Sequence, residues 1–127
     1  MNQEIQLNKD TMIVSETDEK GIILYANDDF CTIAGYSKDE LIGQAHNIVR
    51  HKDMPKAAFK DLWEHMKAKK VWNGIVKNIT KEGNYYWVNA TAYCVTKNNG
   101  ENRLLSVRVK PTAEEINNAI ALYKTLN

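Results

Sequence analysis

Cysteine is scarce in this chain: only Cys31 and Cys94 occur among 127 residues. Two cysteines without metal-type spacing exclude a disulfide scaffold and fit small buried hydrophobes in a reducing compartment. Neither charge sign dominates, with 17 Lys and Arg against 16 Asp and Glu and a net charge of +1. No global field is therefore available to attract nucleic acid or an anionic membrane. Long apolar runs are missing too. None approaches the roughly 18 residues of a membrane span, and the opening "MNQEIQLNKD" has no signal-peptide pattern. The expectation is a cytoplasmic domain without direct membrane insertion. Also missing are a nucleophile elbow, paired catalytic carboxylates, a phosphate loop with its lysine and a Gly-rich dinucleotide turn. No catalytic residue is assigned and no enzyme is expected. The three histidines, His46, His51 and His65, have no zinc-type spacing supported by a second pair, so no metal site is expected either.

What is present suits one globular domain. The hydrophobic content is 43%, enough for one core at this length. "TMIVSETDEKGIILYAND" predicts two strands around the turn Asp18-Glu19-Lys20-Gly21. A short helix is expected from Asp28 to Ala34, closed by Gly35. The capping box "SKDE" at Ser37–Glu40 opens a second helix running to about Gly43. In "PKAAFKDLWEHMKAKK", Phe59, Leu62, Trp63 and Met66 recur at helical spacing, with Pro55 at the start and Asp53 or Met54 as the cap.

Three strand-like runs follow: "VWNGIVKNIT", "YYWVNATAYCVT" and "NRLLSVRVK", separated by turns at Lys81–Asn84 and Asn98–Gly100. After Pro111, "TAEE" is another capping box. Its helix presents Ile116, Ile120, Tyr123 and Leu126 on one stripe. Two strands, short helices, three strands and a terminal helix predict an α+β fold. Its antiparallel sheet would carry the helices on one face and a small-molecule pocket between the layers.

One stretch resists a purely structural reading. "HNIVRHKDMPKAAF" (His46–Phe59) concentrates His46, Arg50, His51, Lys52 and Asp53 ahead of an apolar-periodic run. It is either a solvated loop or the wall of a pocket for an anionic ligand. The segments "GIILYAN", "GYSKDELIG" and "W-x-G…K-x-G-x-x-Y-W" together resemble a PAS sensor domain over about residues 10–111. Within that family, "HNIVRHKDMPKAAFKDLW" and "WNGIVKNITKEGNYYWV" resemble the FAD-binding sensors of aerotaxis and related energy-taxis proteins. Where that type carries proline between the histidine and the aspartate, Lys52 stands here.

The resemblance implies a PAS fold with a five-stranded antiparallel sheet. It divides the chain into an N-terminal cap (1–11), the sensor (12–111) and a C-terminal connecting helix (112–127). It also implies non-covalent FAD, with cofactor roles on Asn27, Arg50, His51, Asp53, Phe59, Trp72 and Asn78. The residues themselves leave alternatives at most of these positions. Trp72 is either a ring-stacking wall or core. Asn78 shares strand parity with Trp72 and needs a polar partner, from the flavin edge or from a helix end. Asn27 fits a helix cap as well as a ligand contact. Arg50 and His51 suit the ribityl or phosphate part, or a basic turn. Asp53 suits a cap, a salt bridge with Arg50 or ligand support, and Phe59 and Trp63 suit core.

Light-oxygen-voltage members of the superfamily carry a reactive cysteine where "GQAHNIVR" places His46, so adduct photochemistry is not expected. The resemblance implies an FAD-based redox sensor of the aerotaxis and chemotaxis type. Its partner would be a chemoreceptor or signalling domain, in cis or in trans. Homodimerisation through the N-terminal segment and C-terminal helix is common in the family. The alternatives are a cofactor-free interaction module, a haem gas sensor using His65, and a flavoenzyme.

Overall fold

The computed structural model describes residues 2–126. Among them, β1 (Ile13–Thr17) and β2 (Ile23–Ala26) form a hairpin. The short helices α1 (Asp28–Ala34) and α2 (Lys38–Leu41), a 3-10 turn (His46–Val49) and α3 (Lys56–Lys67) follow. β3 (Trp72–Ile79), β4 (Tyr85–Thr96) and β5 (Asn102–Val109) complete the sheet, and α4 (Ala113–Tyr123) ends the chain. The sheet has the order β2-β1-β5-β4-β3, with every neighbouring pair antiparallel. This is the α+β architecture that the run of elements predicts.

Local chemistry explains most boundaries. Asn27 caps α1, accepting from the Phe30 amide at 3.1 Å. Gly35 closes that helix in the left-handed region, where a side chain would be strained. Both capping boxes form, at Ser37/Glu40 and Thr112/Glu115. α2 stops at Leu41, short of the expected Gly43, whose φ of 91° is incompatible with a helix. α3 starts from Pro55 with no side-chain cap, so neither Asp53 nor Met54 plays the expected part. Pro55 instead supplies the preset φ just before the helix.

The core is built by Ile13, Ile23, Phe30, Leu41, Val49, Tyr86 and Val88, each essentially fully buried. β4 outruns β5, which pairs with it only from Asn89 onward. The open edge before that point is met by the N-terminal segment: Gln3 accepts from the Tyr85 amide at 3.0 Å and Ile5 donates to the Tyr85 carbonyl at 2.7 Å. α4 lies against β3, its Tyr123 hydroxyl donating to the Ile75 carbonyl. Its buried residue is Ala119, while Ile120 and Leu126 of the expected stripe are exposed. None of the described helices is long and apolar enough to cross a membrane.

Candidate cofactor-binding cavity

The inward parity of β4 runs Tyr86, Val88, Ala90, Ala92. The large pair fills the core and the small pair leaves space. Above the alanines lies a cavity of about 250 Å³, between the sheet and α3. β3 contributes Trp72, Val76 and Asn78 to its walls, the parity predicted for the tryptophan and the asparagine. Phe59, Leu62 and Trp63 of α3 close the opposite side. These three are only half-buried, because the stripe they form faces a cavity rather than packed core. Opposite the apolar walls stand Ser15 of β1, Arg108 of β5 and His46 of the 3-10 turn.

The "W-x-G" motif has a steric cause. The Trp72 indole lies over Gly74, and a Cβ there would come within 2.5 Å of the ring. The indole N–H donates to Asp61 Oδ2 of α3 at 2.9 Å, which fixes the ring between strand and helix. Trp72 is thus both buried and a cavity wall.

The polar end is dominated by Arg108, which is 4% exposed. Its guanidinium donates to Ser15 Oγ at 2.9 Å, to His46 Nε2 at 2.9 Å and to Ser106 Oγ at 3.2 Å, and lies 4.8 Å from the Phe30 ring centroid. Among the described residues, no carboxylate lies within ion-pair distance of it. Burial lowers its pKa to about 10, so it stays charged at neutral pH. His46 is held near 3 by burial first and by the Arg108 charge second. The imidazole is therefore neutral. Because Nε2 accepts from Arg108, its proton sits on Nδ1. Burial pushes the Tyr86 hydroxyl up to about 12.

The seven residues expected to contact a cofactor divide into two groups. Arg50, Phe59, Trp72 and Asn78 line the cavity. The Arg50 guanidinium stacks 3.7 Å from the centre of the Phe59 ring. Asn27, His51 and Asp53 lie outside it. The Asn27 amide is used by the chain: besides its cap it accepts from the Val14 amide at 3.0 Å and donates to the Met12 carbonyl at 2.8 Å. His51 packs edge-on against Tyr85, and its Nδ1 accepts from the Asp53 amide at 3.0 Å. Asp53 pairs with Lys77 at 2.9 Å, not with Arg50.

The cause is the backbone. Arg50 bridges Asn78, and the His51 amide reaches the Lys77 carbonyl at 3.4 Å, so this loop runs alongside β3. Alternation then sends Arg50 inward and its neighbour His51 away.

Sequence reasoning missed Ser15 and Arg108, and it named His46 in the charged stretch without giving it a cofactor role. Strand parity could have found Ser15 and Arg108: Ser15 shares parity with the buried Ile13 and Thr17, and Arg108 with Leu104 and Ser106. No cysteine lines the cavity. No group of three His, Cys, Asp or Glu able to hold a metal occurs among the described residues. His65 bonds to the Asp61 carbonyl at 2.8 Å on α3.

Comparison with known proteins places this geometry. A family model described as PAS fold matches residues 23–108. The chain is 46% identical to the aerotaxis receptor of Escherichia coli over 125 residues, 98% of this chain and 25% of that protein. It is 33% identical to a biofilm dispersion protein of Pseudomonas aeruginosa over 93 residues, 72% of this chain and 22% of that protein. The chain thus spans a quarter or less of these curated relatives. Among solved structures, the dark state of the blue-light photoreceptor Aureochrome1 LOV superposes with a TM-score of 0.75 at 16% identity. That match covers 88% of this chain and 84% of that one. A light-oxygen-voltage domain studied with a flavin analogue gives 0.71 at 19% identity, covering 89% and 83%. Sheet order, helical layer and family match agree: the chain belongs to the PAS family of sensory domains.

Proposed function

We propose that this domain is a cytoplasmic FAD-binding redox sensor of the energy-taxis type. It would pass its state to a chemoreceptor or signalling domain and turn over no substrate. The observation that carries the reading is Arg108, a buried charge facing the cavity with no carboxylate partner among the described residues. Such a charge costs several kcal/mol to desolvate. An electron-rich ring edge with acceptor atoms would offset that cost.

The residues fit a flavin. Trp72 and the small Ala90 and Ala92 leave a flat apolar slot, and Asn78, Arg108 and Ser15 stand at its polar end. The cavity, about 250 Å³, falls below the roughly 300–1,000 Å³ of pockets that enclose drug-sized ligands. The ring system belongs inside, with the dinucleotide tail crossing the mouth beside Arg50 and the exposed Lys20. When bound, a flavin supplies reversible electron uptake coupled to protonation of its ring. Arg108 holds a positive potential where negative charge would gather, and neutral His46 orients it. Asn78 matches its amide to acceptor or donor atoms, and Trp72 with Phe59 excludes water.

We assign residues 12–111 to the sensor, 1–11 to a cap and 112–127 to a connecting helix. β3 carries both Trp72 and Asn78, and α4 rests on the same strand through Tyr123 and Ile75. A change at Asn78 therefore has a short physical route to α4, whose docking would be the element biased by cofactor state. The identity to the aerotaxis receptor over nearly the whole chain supports this assignment of purpose.

Reconstitution tests it. Protein stripped of any chromophore should take up FAD saturably, one per chain, with uptake lost in Arg108→Met and weakened in Asn78→Ala, which still fills at excess FAD. Failure of the folded wild-type protein to take up FAD would sink the reading and leave a cofactor-free interaction module.

A further inference from the structure

The Tyr86 hydroxyl is the anomaly of the core. It is 1% exposed and has no hydrogen-bond partner. Buried polar groups are nearly always satisfied, so an orphan of this kind needs an explanation. Its cross-strand neighbour is Asn78, which is 5% exposed and lines the cavity. Cα partners in an antiparallel pair project to the same face, with Cβ atoms about 4.5–5.5 Å apart. The two polar groups therefore stand side by side, one behind the other as seen from the cavity. The Asn78 amide approaches the Tyr86 hydroxyl as a hydrogen-bonding neighbour and eases its ionisation against the dominant effect of burial, but the geometry falls short of a full hydrogen bond. Among the described residues, no side-chain hydrogen bond fixes which way round the Asn78 amide sits.

We propose that Tyr86 is a positioning residue: it donates to the Asn78 amide oxygen in the liganded protein and so turns the amide nitrogen toward the bound ring. The inference rests on the flavin reading and deepens it. A tyrosine hydroxyl is the better donor of the two groups, and its one donor has no other outlet here. With the amide oxygen held from behind, the cavity side of Asn78 presents only N–H.

That orientation suits an oxidised ring edge, whose atoms accept. Reduction by two electrons and two protons would put a donor on that edge, for which the Asn78 amide nitrogen is the wrong partner. Asn78 can match it only by turning over, and the Tyr86 proton is then orphaned again. Tyr86 therefore favours the oxidised state. Removing its hydroxyl should make reduction easier.

The test is the midpoint potential of FAD-loaded Tyr86→Phe, measured by dye-coupled reduction against wild type. The reduction equilibrium constant should rise by up to about tenfold, a positive shift of up to about 30 mV for a two-electron couple. In an Asn78→Ala background the same change should shift nothing. If Tyr86→Phe does not fold, 3-fluorotyrosine at position 86, a stronger donor, should move the potential the opposite way. A second readout needs no redox chemistry: the ¹³C shift of the Tyr86 ring carbon bearing the hydroxyl should move when FAD is added, and not in Asn78→Ala. An unchanged potential, or an equal shift with and without Asn78, overturns the positioning role while leaving the sensor reading intact. Wild-type protein that takes up no flavin overturns both.

Discussion

Replacing Gly74 by alanine should destabilise the domain, and the sign of that effect is the informative part. Glycine inside a strand costs conformational entropy, so alanine at an unobstructed, compatible position stabilises by about 0.4–1 kcal/mol. Gly74 has ordinary strand geometry, and its positive-φ exemption does not apply. But an added Cβ would sit 2.5 Å from one indole carbon of Trp72 and 2.6 Å from another. The ring has to move. It is held by the 2.9 Å bond to Asp61 and is buried against the cavity wall. Overpacking costs about 1–3 kcal/mol, and loss of the Asp61 bond about 0.5–1.5 kcal/mol. Set against the entropic gain, the net is a loss of about 0.5–4 kcal/mol.

Urea unfolding followed by far-UV circular dichroism would measure it. In a Trp72→Leu background the ring is gone, so the same Gly74→Ala change should become neutral or stabilising. That pairing separates the steric cause from any general intolerance of the strand. The displaced ring would also narrow the cavity, so FAD uptake should weaken alongside stability. A Gly74→Ala protein as stable as wild type, with unchanged tryptophan fluorescence, would refute the explanation of the W-x-G motif.

Other outcomes follow from the same geometry. Arg108→Met should leave stability unchanged or higher, because an unpaired buried charge is removed at similar volume; it should also raise the His46 pKa from about 3 while keeping it below 6.5, as NMR titration would show. The folded state binds the His46 proton only near pH 3, whereas the unfolded chain binds it near 6.5. Unfolding free energy should therefore fall as pH drops through that window, by at most about 1.4 kcal/mol per unit from this group. Asp53, whose pKa is lowered chiefly by its bond to Lys77, adds a loss as pH falls through the carboxylate range. His46→Gln should flatten the upper part of that profile in a series of urea titrations. Asn27→Ala should cost about 1–2 kcal/mol as a lost cap yet leave FAD affinity of the folded protein within about twofold, which separates capping from ligand contact.

Much of the fold was legible because its signals are local. Capping boxes at Ser37 and Thr112, glycine at position 35 and alternation in β3 and β4 each act within a few residues, and the structure contains them. The end of α4 was harder: Ala119, not Ile120, meets the body, because helix rotation is chosen by the partner surface. The charged stretch that looked like one pocket wall is split by its pairing with β3. Arg50, itself exposed, turns toward the cavity, while His51 is buried beside Tyr85 away from it and Asp53 pairs with Lys77. No local pattern reveals that a loop runs beside a strand 28 residues later in the chain, Arg50 against Asn78. Arg108 was overlooked for a related reason: only the sheet order brings it to Ser15 and His46.

The most direct test of the central claim is an absorption spectrum of freshly purified protein, with the released chromophore identified after denaturation. The account predicts bands near about 375 and 450 nm that bleach with dithionite, and FAD as the molecule released. A colourless protein that stays colourless after incubation with excess FAD would contradict it.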